Sequence, residues 1–368
     1  MPFAEQLLGH AAAAGLVSCL ERAQPTRGAT AVRSAAGRLD GLALRERSDL
    51  LRDALLEDLP AGYPAAEAVI RAALEAPEFT GWMIWPVTEA VVSRALEATE
   101  PDAFEAGLAL LADLTPRLTA EFAIRRVLLT NLERALKVVS LWVDHPNEHV
   151  RRLATEGTRP RLPWAIRVPA ILARPEATLP ILDALYRDAS EYVRRSVANH
   201  VNDISHADPD LAVAVITRWS RSPDENTAKL VRHALRTAVK KGHPGALALM
   251  GFEPAAHVVA TRPELSTSRV TVGEELVFAF ELENTGDAPA RLAIDYVVHH
   301  RKASGRTAPK VFKLTTRTLA PGERLAVSRR HSFRQITTRV YHPGPHALEL
   351  QINGVPQGPV EFDLALPS

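Results

Sequence analysis

Cysteine, aromatic side chains and long apolar runs are all scarce in this chain. A single cysteine, Cys19, stands in 368 residues, which excludes an internal disulfide and points to a reducing, cytosolic compartment. The apolar run at 11–20 follows Glu5 rather than a basic segment and is too short to span a bilayer, so it is expected to be a core helix. No other stretch approaches the length of a membrane span, and no membrane partner is expected. Net charge has almost no sign: 44 basic against 43 acidic side chains leave +1, so only the distribution along the chain informs. What is present, 46% hydrophobic and 24% charged residues with 5% aromatic, is the composition of a soluble globular protein. Its length suits two domains better than one.

Up to about residue 140 the chain is rich in Ala and Leu at helical spacing, as in Leu42, Leu44, Leu50, Leu51, Leu55 and Leu59. Prolines and glycines such as Pro60, Gly62, Pro77, Gly81 and Pro116 cut this pattern into short antiparallel helices. Thr119 is expected to cap a helix with Glu121 in its first turn. Glu121 is then either a surface acid compensating the helix dipole or a carboxylate held by Arg125 at i+4. A repeat follows, because Glu148-His-Val-Arg-Arg152 is echoed by Glu191-Tyr-Val-Arg-Arg195, 43 residues on. That period matches HEAT or armadillo helix pairs. A degenerate third copy at 224–241 carries Lys229 and Arg232. Stacked pairs would align such cations in a row suited to a phosphate backbone.

Beyond about residue 257 the hydrophobic period changes from 3.6 to 2, as at 275–283 and 291–298. Turn signals separate about seven short strands, which predicts an immunoglobulin-like sandwich. The fold class is therefore multidomain α + β, with a helical-repeat solenoid at 1–257 and an all-β sandwich at 258–368. Between Asp295 and Glu349 lie eleven lysines and arginines and one acid, Glu323. The loop bearing Arg301, Lys302 and Arg306 is positive enough to follow phosphates, although basic strand edges also oppose aggregation.

Chemistry concentrates at 148–205. Glu156 ends a helix, where an acid opposes the dipole and asks for something that stabilises it, as a cationic ligand would. Arg159 and Arg161 follow in a proline-bounded run suited to phosphates, and Trp164 offers a flat face for stacking. The plainer alternative pairs Glu156 with Arg152 and makes Trp164 a wedge between repeats. Asp203 lies 47 residues after Glu156, close to one repeat, so the two carboxylates could face one cleft, unless Asp203 is only a cap. Two carboxylates beside a basic channel suit hydrolysis through a cationic sugar transition state. His145-Pro-Asn-Glu-His149 matches a short zinc motif, but Pro146 leaves His145 outside the helix. No metal or other cofactor is expected.

The stretches at 121–125, 149–164 and 193–205 resemble the HEAT-like-repeat DNA alkylation repair glycosylases of the AlkC type, some of which carry an appended immunoglobulin-like domain. The resemblance implies an enzyme that releases small cationic alkylated bases, chiefly 3-methyladenine, from duplex DNA without a metal, as the first step of base excision repair. It implies Asp203 and Glu156 nearest the deoxyribose and attacking water, Glu121 and Trp164 bounding the lesion, and Arg152 and Arg159 on phosphates. Arg161, Arg195, Lys229, Arg232, Arg301, Lys302 and Arg306 complete the expected DNA-binding set. The partner would be double-stranded DNA containing alkylated bases, the protein a monomer, and its place the bacterial cytosol or nucleoid. A non-catalytic DNA-binding or DNA-bending repeat protein remains the alternative.

Overall fold

The computed structural model describes residues 3–337 and 339–367. Two compact units divide the chain between Ala207 and Asp208.

The first unit is helical. Helix Ile84–Glu97 is its most buried element, with nearly every side chain from Ile84 to Ser93 inside. Trp85 packs on Phe122 at 4.9 Å between ring centroids, so the Gly81–Trp85 stretch is core, as its apolar pattern suggests. The repeat is visible as helix Glu148–Glu156 packed on helix Glu191–Ile204, with Val150 and Val193 both fully buried. The first arginine of each echoed pair has the same job. Arg151 Nη1 donates to the carbonyls of His145 and Pro146 at 2.9 and 3.0 Å, and Arg194 Nη1 donates to those of Asp188 and Ala189. These contacts pin the chain entering each helix, so the cations at 151 and 194 are scaffold. The Asn147 side chain caps the first helix through the His149 N–H at 2.9 Å, and His145 stays outside it.

Thr119 caps a turn instead of a helix. Helix Ile124–Thr130 begins three residues after Glu121, which sits in a turn with its N–H donating to the Thr119 hydroxyl.

In the second unit the described residues form nine strands: β1 Val258–Ala260, β2 Glu264–Leu265, β3 Arg269–Thr271, β4 Glu275–Asn284, β5 Ala290–Arg301, β6 Thr307–Leu319, β7 Arg324–Ser332, β8 Gly344–Ile352 and β9 Val355–Ala365. One sheet pairs β4 with β1, β2 and β7, and the other runs β3-β9-β8-β5-β6. Alternation builds the core, as Leu276, Phe278, Phe280 and Leu282 of β4 meet Leu292, Ile294, Tyr296 and Val298 of β5. Edge strands β6 and β7 carry much of the one-signed charge noted above.

The helices at 209–249 belong to this second compact unit, so the unit boundary falls fifty residues before the expected 257/258 junction. The cause is local. Ala293, on the outer face of β5, packs with Leu247 and Phe252, while Arg291 lies over the Phe252 ring at 4.8 Å. The Asn353 amide donates to the Glu253 carbonyl at 2.7 Å. Gly242 and Gly354 both have positive φ and approach so closely that a Cβ on either would lie 2.6 Å from the other's backbone oxygen.

Candidate active site

Helix Glu148–Glu156 ends with Glu156 pointing inward, and Gly157 follows in an ordinary right-handed conformation. Glycine is required there for space: a Cβ would lie 2.8 Å from Ile124 Cγ2 and 2.9 Å from the Leu153 carbonyl oxygen. The chain then turns so that Arg159 folds back beneath the helix end. Its Nη1 donates to Glu156 Oε1 at 2.6 Å, while Nε and Nη2 donate to Asp203 Oδ2 and Oδ1 at 2.9 and 3.1 Å. Helix Glu191–Ile204 supplies Asp203 near its last turn and Ser196 two turns earlier, and the Ser196 hydroxyl donates to Glu156 Oε2 at 2.6 Å. Glu156, Arg159 and Asp203 are each more than nine-tenths buried. Burial alone would lower the Arg159 pKa, but the bonds to Asp203 and the charge of Glu156 carry it above its ordinary value.

One layer out, Arg152 Nη1 donates to Glu121 Oε2 at 2.8 Å and Nη2 lies 3.6 Å from Glu156 Oε1. Its guanidinium carbon stands 4.7 Å from the centre of the Tyr192 ring. The Thr119 hydroxyl also donates to Glu121, at 3.0 Å. Behind the cluster, the fully buried Arg125 donates to the carbonyls of Gly157, Arg159 and Ile166 at 2.9, 2.7 and 3.0 Å. Burial, and next the charge of Arg167, push its pKa down to about 10. His200 is buried with Nδ1 2.9 Å from the Thr155 carbonyl and Nε2 3.0 Å from the Thr178 hydroxyl, and burial pushes its pKa down to about 4. It is a neutral packing histidine.

Glu121, Glu156 and Asp203 are thus brought into one chain of ion pairs. Three placements differ from the expectation. Arg159 does not face outward for phosphates, because all three of its guanidinium nitrogens are committed to buried carboxylates. Arg152 is likewise turned inward, its side chain 15% exposed between Glu121 and Glu156. Arg125 does not hold Glu121; Arg152 does. Arg161 is exposed, and its backbone N–H donates to Asp203 Oδ2 at 3.2 Å. Trp164 is 67% exposed with φ of +61°, a strained conformation for a bulky residue, and its carbonyl accepts from Arg45 at 3.2 Å. Arg195, Lys229, Arg232, Lys302 and Arg306 are exposed, and Arg301 is half-buried beside Gly344. Lys302 and Arg306 flank a turn that closes through backbone bonds of 2.8 and 2.9 Å, so this loop is a defined hairpin.

Sequence reasoning missed Ser196, Tyr192 and the carbonyl clamp of Arg125. The repeat held a clue to one: Tyr192 is the echo of His149, and their rings meet edge-to-face at 5.5 Å.

Fold and site define a two-part class of protein, a helical repeat with a buried carboxylate–guanidinium cluster followed by an immunoglobulin-like sandwich. Residues 259–366 match the family described as "Uncharacterised protein YhaZ, C-terminal Ig-like domain". The curated protein YhaZ of Bacillus subtilis (strain 168) is 36% identical over 325 residues, 88% of either chain. A solved structure, the Pseudomonas fluorescens alkylpurine DNA glycosylase AlkC bound to DNA containing an abasic site analog, is 34% identical, with a TM-score of 0.85 and 99% of both chains covered. The chain belongs to the AlkC family.

Proposed function

We propose that the protein is a monofunctional DNA glycosylase that hydrolyses the N-glycosidic bond of small cationic alkylated bases, chiefly 3-methyladenine, in duplex DNA. The observation that carries this reading is the Glu156–Arg159–Asp203 cluster, set in a chain similar from end to end to a DNA-bound alkylpurine glycosylase.

The cluster's chemistry supports the reaction. A methylated cationic base leaves as a neutral molecule, so bond breaking needs no general acid. It needs negative charge where the deoxyribose becomes an oxocarbenium ion, and an acceptor for a proton of the attacking water. Carboxylates held by charge-assisted hydrogen bonds provide both. Glu156 and Asp203 are fixed in orientation by Arg159, Ser196 and the Arg161 N–H, so little reorganisation accompanies charge development. Asp203 and Glu156 take the sugar and water roles, with Glu121 and the exposed face of Trp164 beside the base. Arg161, Arg195, Lys229, Arg232 and the Lys302–Arg306 hairpin are exposed cations suited to phosphates; Arg159 and Arg152 serve the carboxylates instead. The same reading places the protein with DNA in the cytosol.

The test is to incubate the full-length protein with methylated duplex DNA and chromatograph the liberated bases. Release of 3-methyladenine is expected. Binding without release would leave a DNA-binding or DNA-bending protein.

A further inference from the structure

Arg152 occupies a place that its repeat does not explain. Arg151 and Arg194 make the same carbonyl staple 43 residues apart, but Arg195, the echo of Arg152, is exposed. Arg152 instead has its guanidinium carbon over an aromatic ring, 4.7 Å from the Tyr192 ring centre, with one terminal nitrogen 2.8 Å from Glu121 and the other 3.6 Å from Glu156. Tyr192 nevertheless remains 42% exposed. A planar cation with N–H groups at its rim, held over a ring and between two carboxylates, shares the planarity and charge of an N-methylated purine.

We propose that Tyr192 and Glu121, with Glu156 at the sugar-side end, form the receptor for the flat cationic base, and that Arg152 is a resident stand-in that fills it until the base displaces it. The inference rests on the glycosylase reading and deepens it by giving the origin of charge selectivity. An incoming cation replaces the cation that leaves, so Glu121 and Glu156 stay compensated. A neutral base would leave the largely buried Glu121 without its only cation among the described residues, and Glu156 with Arg159 alone, which is unfavourable.

The stand-in role and a simple phosphate contact predict opposite outcomes. Binding is measured with the full-length protein and two duplexes, one containing a single N1-methyladenine, cationic at neutral pH, on a 2′-fluorinated sugar that resists hydrolysis, the other unmethylated. In Arg152→Ala the receptor is already vacant, and the preference for the methylated duplex should rise at least about tenfold over the parent. Arg152→Met, which keeps an aliphatic stem over Tyr192, should shift the preference in the same direction and guards against a folding defect in the alanine variant. Adding Tyr192→Leu should remove the gain. An unchanged or smaller preference in both single variants, with both duplexes weakened alike, overturns the proposal. Because nothing is hydrolysed, this result is independent of base release: a parent protein that binds as expected yet liberates no base would refute the glycosylase reading alone.

Discussion

Arg159 connects the two carboxylates that the sequence places 47 residues apart. The pair Glu156 and Asp203 is legible because the interval is close to one repeat, and equal positions on stacked helix pairs face the same way. The direction of Arg159 is not legible. A proline-bounded arginine in an extended run looks like a surface cation, and only the turn after Gly157 shows that the side chain folds inward. Its removal has a calculable consequence. Arg159→Met would leave two carboxylates buried without their cation, a loss of roughly 3–5 kcal/mol, seen as a lower denaturant midpoint and a lower melting temperature. A surface phosphate contact, by contrast, would leave stability within about 0.5 kcal/mol of the parent.

At the scale of elements, the loop 157–166 is the piece that sequence describes least well. Its residue types announce chemistry, yet its shape is set from outside by Arg125, which gathers the carbonyls of Gly157, Arg159 and Ile166. A helix-based reading pairs Arg125 with Glu121 at i+4; the helix starts later than expected, and that geometry never forms. Arg125→Met should therefore loosen the loop without unfolding the helices. Limited proteolysis should shift cleavage into 157–166, and maximal base-release rate should fall more than substrate affinity. Unaltered proteolysis and unaltered rate would show that the clamp is dispensable. Strands are legible where alternation is long: β4 alternates along its whole length, whereas β6 departs from the period and β1 to β3, two or three residues each, are too short to display it.

For the whole molecule, the two-part architecture and the start of the strands at Val258 follow from the change of hydrophobic period; what the period does not show is that Leu247 and Phe252 pack on β5 and join the last helices to the sandwich unit. Buried histidines give that unit an acid limit. Burial lowers His300 to about 3 and His331 to about 4, and lowers His346 as well, in a core of Phe333, Tyr296 and Phe362. His200 adds a similar site, at about 4, to the first unit. These side chains stay neutral when folded but take up protons near pH 6.5 when unfolded, so stability is complete above about 6.5 and is lost as pH falls towards 4. Asp295, raised to about 6 by burial, has the opposite sign and costs stability as pH rises from about 4 to 6. The histidines outnumber it, and His300 and His331 are each worth on the order of 2 kcal/mol as pH falls from about 6.5 to 4.5. Calorimetry between pH 7 and 4.5 should show a falling melting temperature for the sandwich, less steep in His331→Phe. A flat profile would contradict the neutral-core assignment.

The central claim is that the carboxylates joined by Arg159 carry out base release. Single-turnover release of 3-methyladenine from methylated duplex DNA, compared among the parent, Asp203→Asn and Glu156→Gln, tests it most directly. A fall of at least about a hundredfold in each variant, with DNA affinity retained, is predicted. Rates in both variants within about twofold of the parent would contradict it.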